Sequence, residues 1–189
     1  MNAWIVAGSA IGLLAFVPLA KQIIRGEIRQ NFATWILWTA MDGTAAVTII
    51  AQKGNFLLPA GYSLACFVTA LLILRSKTFA WTKFETMVTF LVTICLVVWY
   101  FSGAWMATIA STAAMLIAGV PQLLETYRKP WDSPFTVYAM FTIAPIFSML
   151  GGRGWTIEER LYPGALFGYS ALIVFFTVRK FWRTKPTQP

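Results

Sequence analysis

Histidine is absent from this 189-residue sequence, cysteine occurs twice, and charge is scarce. Histidine is the side chain that most often ligates metals or exchanges protons near neutral pH. Its absence removes most metal centres and acid–base enzymes, so no metal and no cofactor is expected. Charged residues make up 12% of the chain, about half the roughly 25% of a soluble domain. Too little charge is left to cover a water-facing surface. Cys66 and Cys95 both fall inside apolar runs and read as small apolar residues facing lipid or neighbouring helices, with a disulfide the less favoured alternative. No basic residue precedes the first apolar run, since the first is Lys21. A cleaved signal peptide would show such residues, so that run is expected to stay as a helix.

Hydrophobic residues make up 58% of the sequence and come in long runs. About 20 apolar residues are needed to cross the hydrocarbon core of a bilayer as a helix. Seven stretches meet or approach that length: 3–22, 32–51, 56–74, 84–102, 105–124, 134–150 and 161–178. Barrel strands would alternate apolar and polar residues, whereas Phe84 to Phe101 is almost continuously apolar. The expected fold is an all-α membrane protein with seven transmembrane helices.

The net charge of +8 could suggest nucleic acid, but its placement points to a bilayer. With seven spans the loops alternate between two sides. Lys21, Arg25, Arg29, Arg75, Lys77, Lys83, Arg128, Lys129, Arg179, Lys180, Arg183 and Lys185 fall on one side, and only Lys53, Arg153 and Arg160 on the other. Basic residues in short loops mark the cytoplasmic side. The expectation is a multi-pass cell-membrane protein with its N-terminus outside and its C-terminus inside. Trp4, Trp99, Tyr100, Trp105 and Trp155 would line one interface, and Trp81, Tyr127, Trp131 and Trp182 the other. Glu158 and Glu159 read as a solvated external cluster with Arg153 and Arg160. Nucleic acid is not expected as a partner.

An internal repeat is visible. Val17-Pro18 answers Val120-Pro121, Arg25 answers Arg128, Asn31 and Thr34 answer Ser133 and Thr136, Pro59 answers Pro163 as a helix opener, and Arg75 answers Arg179. The reading is a 3+1+3 layout: a three-helix repeat over 1–78, a linker helix over 79–103, a second repeat over 104–182 and a cytoplasmic tail over 183–189. A three-helix unit starts and ends on opposite faces, so the extra crossing makes the copies parallel. Parallel repeats place a central path between them, with the site near mid-membrane.

Asp42, halfway along the second span, is the one charged residue deep in a predicted helix. An ionised carboxylate there costs roughly 3 kcal/mol or more, and such residues usually face a cavity. Trp35, Trp38, Thr39 and Asp42 share one helical face, which could offer a solute aromatic surfaces and one acid. The plainer alternative is a protonated packing residue bonded to threonine or backbone. Tyr62 and Tyr169 could turn hydroxyls to the same cavity or bond to neighbours. Pro18 and Pro121 are expected to break their helices near the cytoplasmic ends, as hinges of an inner gate or as static kinks.

The stretch Ala118-Gly-Val-Pro-Gln-Leu-Leu, a short basic loop ending in Ser133, and Thr136 opening the next helix resemble the PQ-loop motif. The 3+1+3 layout is similar to the full-length SWEET transporters of that superfamily. The first copy reads Pro18-Leu19, without the glutamine. Neither 56–74 nor 161–178 supplies the asparagine of SWEET sugar sites, apart from the loop residue Asn55. The resemblance implies a transporter, not an enzyme, that moves a small polar solute such as a sugar or amino acid by alternating access. The lysosomal exporters of the superfamily use membrane aspartates for proton coupling, which implies that role for Asp42. Gln122 would offer its amide to the gate or cap a loop. Alternatives are a nicotinamide-riboside-type vitamin transporter, which the tryptophans fit, or a non-transporting receptor of the same fold. Partners would be the solute and the bilayer, with homo-oligomerisation left open. A protease dyad lacks a second intramembrane aspartate, and a retinal protein lacks a lysine within 161–178.

Overall fold

The computed structural model describes residues 2–28, 30–76 and 81–182; within the fourth helix, the side chains at 91, 95, 96, 98, 99, 104 and 107 lie outside the described set. Regular structure among the described residues is entirely helical: α1 Ala3–Ile24, α2 Phe32–Ala51, α3 Leu57–Arg75, α4 Lys83–Arg128, α5 Phe135–Leu150 and α6 Ile157–Val178, with two short 3-10 turns at Pro130–Asp132 and Arg179–Phe181. Five stretches are long and apolar enough to cross a membrane: Ala3–Ile24, Phe32–Ala51, Leu57–Arg75, Thr108–Arg128 and Ile157–Phe181. Such helices satisfy their backbone groups internally, as an apolar medium demands.

Local chemistry sets the helix ends. Asn2 caps α1 by accepting from Trp4 N at 3.1 Å, and Asn31 caps α2 by accepting from Thr34 N at 3.1 Å. Thr82 and Glu85 form a reciprocal capping box at the start of α4. α1 and α2 both end on left-handed residues, Gly26 (φ 68°) and Lys53 (φ 56°). The N–H of the next residue then reaches back to Gln22 O or Ile49 O, so the last carbonyls are not left bare. Inside the helices, Thr39, Thr44, Thr69, Thr112, Thr142 and Thr177 each donate to the carbonyl four residues earlier. That bond hides a hydroxyl from an apolar surrounding.

The observed ends depart from the sequence reading in two places, the helices that run on past their prolines and the start of α6. α1 and α4 continue past Pro18 and Pro121 to Ile24 and Arg128, so neither proline breaks its helix. The stretches 84–102 and 105–124 are the two halves of α4, which meet in a kink at Gly103, whose φ of 77° and ψ of 173° leave the helical region, where the sequence reading separates them. A left-handed φ favours glycine. α6 begins at Ile157, so Pro163 sits inside it and does not open it, and Glu158 and Glu159 form its first turn. α5, Phe135–Leu150, agrees with the expected 134–150 to within one residue and, at 16 residues, is shorter than a full crossing.

The six helices pack as a closed ring. α1 contacts α3 and α5, α3 contacts α2, α2 contacts α4, α4 contacts α6, and α6 contacts α5. Exchanging α1 with α4, α2 with α5 and α3 with α6 maps every contact of the ring onto another. Large apolar residues such as Leu64, Phe90, Val47 and Phe175 are exposed on the outside. One tight seam is α1 on α5, where a Cβ added to Gly8 would lie 2.7 Å from Ala144 O and 2.9 Å from Ser148 N. The Gly8→Leu variant is therefore expected to lose about 1–3 kcal/mol through overpacking, read as a lower midpoint of thermal unfolding in detergent. Gly168→Ala, which meets nothing within 4 Å, should match or exceed the parent.

Candidate functional site

The ring closes on an aromatic cavity. All six helices contribute to its wall: Phe16 from α1, Trp35, Trp38 and Asp42 from α2, Tyr62 and Cys66 from α3, Met115 from α4, Tyr138 and Phe141 from α5, and Leu166, Tyr169 and Ser170 from α6. Its volume is about 20 Å³, room for little more than one water. The rings form one connected set. Tyr169 meets Trp38 edge-on at 5.3 Å, Trp38 meets Trp35 at 5.2 Å, and Trp35 meets Phe16 at 5.9 Å. Phe16 packs on Tyr62 and Phe141, and Phe141 on Tyr138. Edge-to-face pairs of this kind add to the energy of burial alone.

Asp42 is 2% exposed, with its carboxyl held by side chains of two other helices. Tyr162 OH donates to Oδ1 at 2.9 Å, and the Cys66 thiol donates to Oδ2 at 3.8 Å. Among the described residues, no lysine or arginine lines the cavity. The acid is solvated by hydrogen bonds but paired with no cation there. Trp38 Nε1 donates to Met115 O at 2.9 Å, and Tyr169 OH donates to Gly119 O at 2.9 Å, which ties α2 and α6 to α4. Two further buried donors, Trp35 Nε1 and Tyr62 OH, have no partner.

The residues expected from the sequence separate. Asp42, Trp35, Trp38, Tyr62 and Tyr169 meet at the cavity, but Thr39 does not. Its hydroxyl donates to Trp35 O, and its carbonyl accepts from Ser63 Oγ. Cys66 is not a bland apolar residue but a buried free thiol on the acid; the Cys95 side chain lies outside the described residues. Tyr162, at the second position of the predicted span 161–178, was not singled out. Nothing in the sequence points to it, because its bond to Asp42 crosses 120 positions.

Polar contacts cross the ring at both ends. At one end, Gln122 Oε1 accepts from Asn31 N at 3.3 Å, Asn31 Nδ2 donates to Glu85 Oε1 at 3.0 Å, and Tyr138 OH donates to Gln30 Oε1 at 3.2 Å. Gln122 thus caps the start of α2. Pro121 borders a 450 Å³ pocket there, whereas Pro18 lines none of the pockets described here. At the other end, Asn55 Nδ2 donates to Ser148 Oγ at 2.9 Å and Arg153 Nη2 donates to Lys53 O at 2.9 Å, around a 380 Å³ pocket. Glu159 is 6% exposed and lies 3.7 Å from Arg153. Arg160 donates to Met149 O, Gly152 O and Gly154 O. The expected solvated cluster is instead a folded clasp over the end of α5. Tail residues 183–189, with Arg183 and Lys185, and the loop residues Arg29 and Lys77 lie outside the described residues, as does the Trp99 side chain.

Removing the Tyr162 hydroxyl leaves one carboxyl oxygen unbonded at a cost of about 1–3 kcal/mol. Tyr162→Phe should lower the thermal midpoint in detergent. In an Asp42→Ala background, which has no acceptor for the tyrosine, the same change should cost clearly less, since residues sharing one bond are non-additive. Equal losses in both backgrounds would show that the contact carries no energy.

No protein-family model, no curated protein and no solved structure matches this chain.

Proposed function

We propose that this protein is a seven-crossing membrane transporter of the 3+1+3 type. It moves a small polar solute between two parallel three-helix units by alternating access, with Asp42 exchanging a proton in the cycle. In this reading the two halves of α4 about Gly103 are separate crossings, linker and first helix of the second unit. The N-terminus lies outside and the C-terminus in the cytoplasm of a cell-membrane protein, as the placement of basic loop residues suggests. The observation that carries the reading is a buried carboxyl, paired with no cation, at the centre of a ring to which all six helices contribute. A membrane acid with no structural counter-charge is a functional candidate by default. The pairwise correspondence of the ring contacts supports two equivalent units. Pockets of 380 Å³ and 450 Å³ at opposite ends supply vestibules on either side of a tight centre. Pro18 and Pro121 serve as weak points of the helices that line the inner gate, and Gln122 as a contact across it.

A second reading, a vitamin transporter of the nicotinamide-riboside type, is favoured by the Trp35–Trp38–Tyr169 series on the cavity wall.

Flux into proteoliposomes, screened over sugars, amino acids and vitamins with and without a pH gradient, tests the proposal. The parent should concentrate a solute in response to the gradient, and Asp42→Asn should lose that response and at least about tenfold in rate, the equivalent of 1.4 kcal/mol. Full, gradient-driven uptake by Asp42→Asn would refute proton coupling. Saturable binding without flux would assign the protein to the receptor class.

A further inference from the structure

The chemistry of the cavity wall narrows the solute beyond "small and polar". A solute carrying an anionic group would meet Asp42 and find no lysine or arginine in the wall to receive that group. This excludes sugar phosphates, carboxylic acids and the carboxylate end of amino acids. A positive charge is welcome twice, from the carboxyl and from the negative ring faces. Charge alone is not enough. Trp35 Nε1 is buried on a cavity-lining residue that is 0% exposed, and it lacks a partner among the described residues. Buried unbonded donors cost about 1–3 kcal/mol each, a cost that a solute with an acceptor would remove. Ammonium or an alkali ion brings no acceptor. The fitting solute is an organic monocation with an oxygen or nitrogen acceptor, flat enough to slide between rings.

The same inventory sets the stoichiometry. Cys66 of α3 and Tyr162 of α6 bond to Asp42, and Tyr62 from α3, Tyr169 from α6 and Tyr138 from α5 line the same cavity, all hydroxyls or thiol; among the described residues α1 and α4 add Phe16 and Met115 to the wall. Asp42 is then the single charge to be compensated, by a proton or by the solute. Both loaded forms are electrically neutral. The form with a bare carboxylate is costly at membrane depth, roughly 3 kcal/mol or more, which opposes an empty return.

We infer that this protein exchanges one organic monocation bearing a hydrogen-bond acceptor for one proton, the two competing for Asp42, with no net charge moved. The inference rests on the transport reading above and names its solute class and coupling. Each turn carries one positive solute one way and one proton the other, so charge balances. The cavity as described holds little more than a water, so loading requires the rings to part.

Three probes test it: ring-methylated nicotinamide (a flat cation with an amide acceptor), neutral nicotinamide, and N-methylpyridinium (a cation without an acceptor). Ligands that bind the native state raise its unfolding temperature. Ring-methylated nicotinamide should do so at mildly alkaline pH and lose the effect in acid, while nicotinamide should do nothing at either pH. N-methylpyridinium should bind about tenfold more weakly, the worth of one buried hydrogen bond. Trp35→Phe should bring the two cations to similar affinities. In proteoliposomes, an acid interior should drive uptake of labelled ring-methylated nicotinamide, and a potassium–valinomycin potential should leave the rate unchanged. Equal stabilisation by nicotinamide, cation binding insensitive to pH, or a potential-driven flux would each overturn the inference. Uptake of a neutral solute from the wider screen would overturn it while leaving the transport reading intact. Binding of the cation without any flux would sink both.

Discussion

The fold is arranged around one carboxyl group that no basic side chain among the described cavity residues neutralises. Every other cavity side chain is aromatic, aliphatic or a weak hydrogen-bonding group. A carboxyl taken from water into such surroundings needs local bonds, and Tyr162 and Cys66 provide them from two different helices. That requirement fixes the rotation of α2, α3 and α6 about their axes. With α2 so turned, Trp35 and Trp38 face the same space, and Trp38 reaches the Met115 carbonyl of α4. The central geometry follows from keeping one acid bonded inside an apolar ring.

Much of this was legible in the sequence, for physical reasons specific to each element. Long, continuously apolar runs without strand alternation form helices in lipid, so α1, α2, α3 and α5 are legible within a few residues of their ends. The i, i+3, i+7 spacing placed Trp35, Trp38 and Asp42 on one face before any coordinates. Thr39 shared that face by periodicity alone. Its hydroxyl could bond to its own helix, a local option that period counting does not weigh. The sequence starts α6 too late, because Glu158 and Glu159 look like loop residues. Acidic residues are in fact favoured in a first helical turn. Tyr162 and Cys66 stayed hidden because their meaning is a contact across the ring, invisible without the third dimension.

Pro18 and Pro121 show how a local rule can be outvoted. Proline removes one backbone bond, yet both helices run on by several residues. Gly103 does interrupt its helix, through a φ open mainly to glycine. The strongest local signal for a break was therefore a residue with no side chain, set among aromatic neighbours Tyr100, Phe101 and Trp105.

The threonine bonds within single helices have a consequence for how such a chain can change over time. Hydroxyls satisfied at home ask little of the neighbouring helix, Thr177 with its added bond to Ser133 being an exception. Outer positions such as Leu64 and Phe90 are then constrained by oiliness and bulk more than by identity. A lineage built this way can replace most of its letters and keep its shape. Its kin are better sought by a short signature, two tryptophans three apart followed by an aspartate four further on, than by similarity spread along the whole chain.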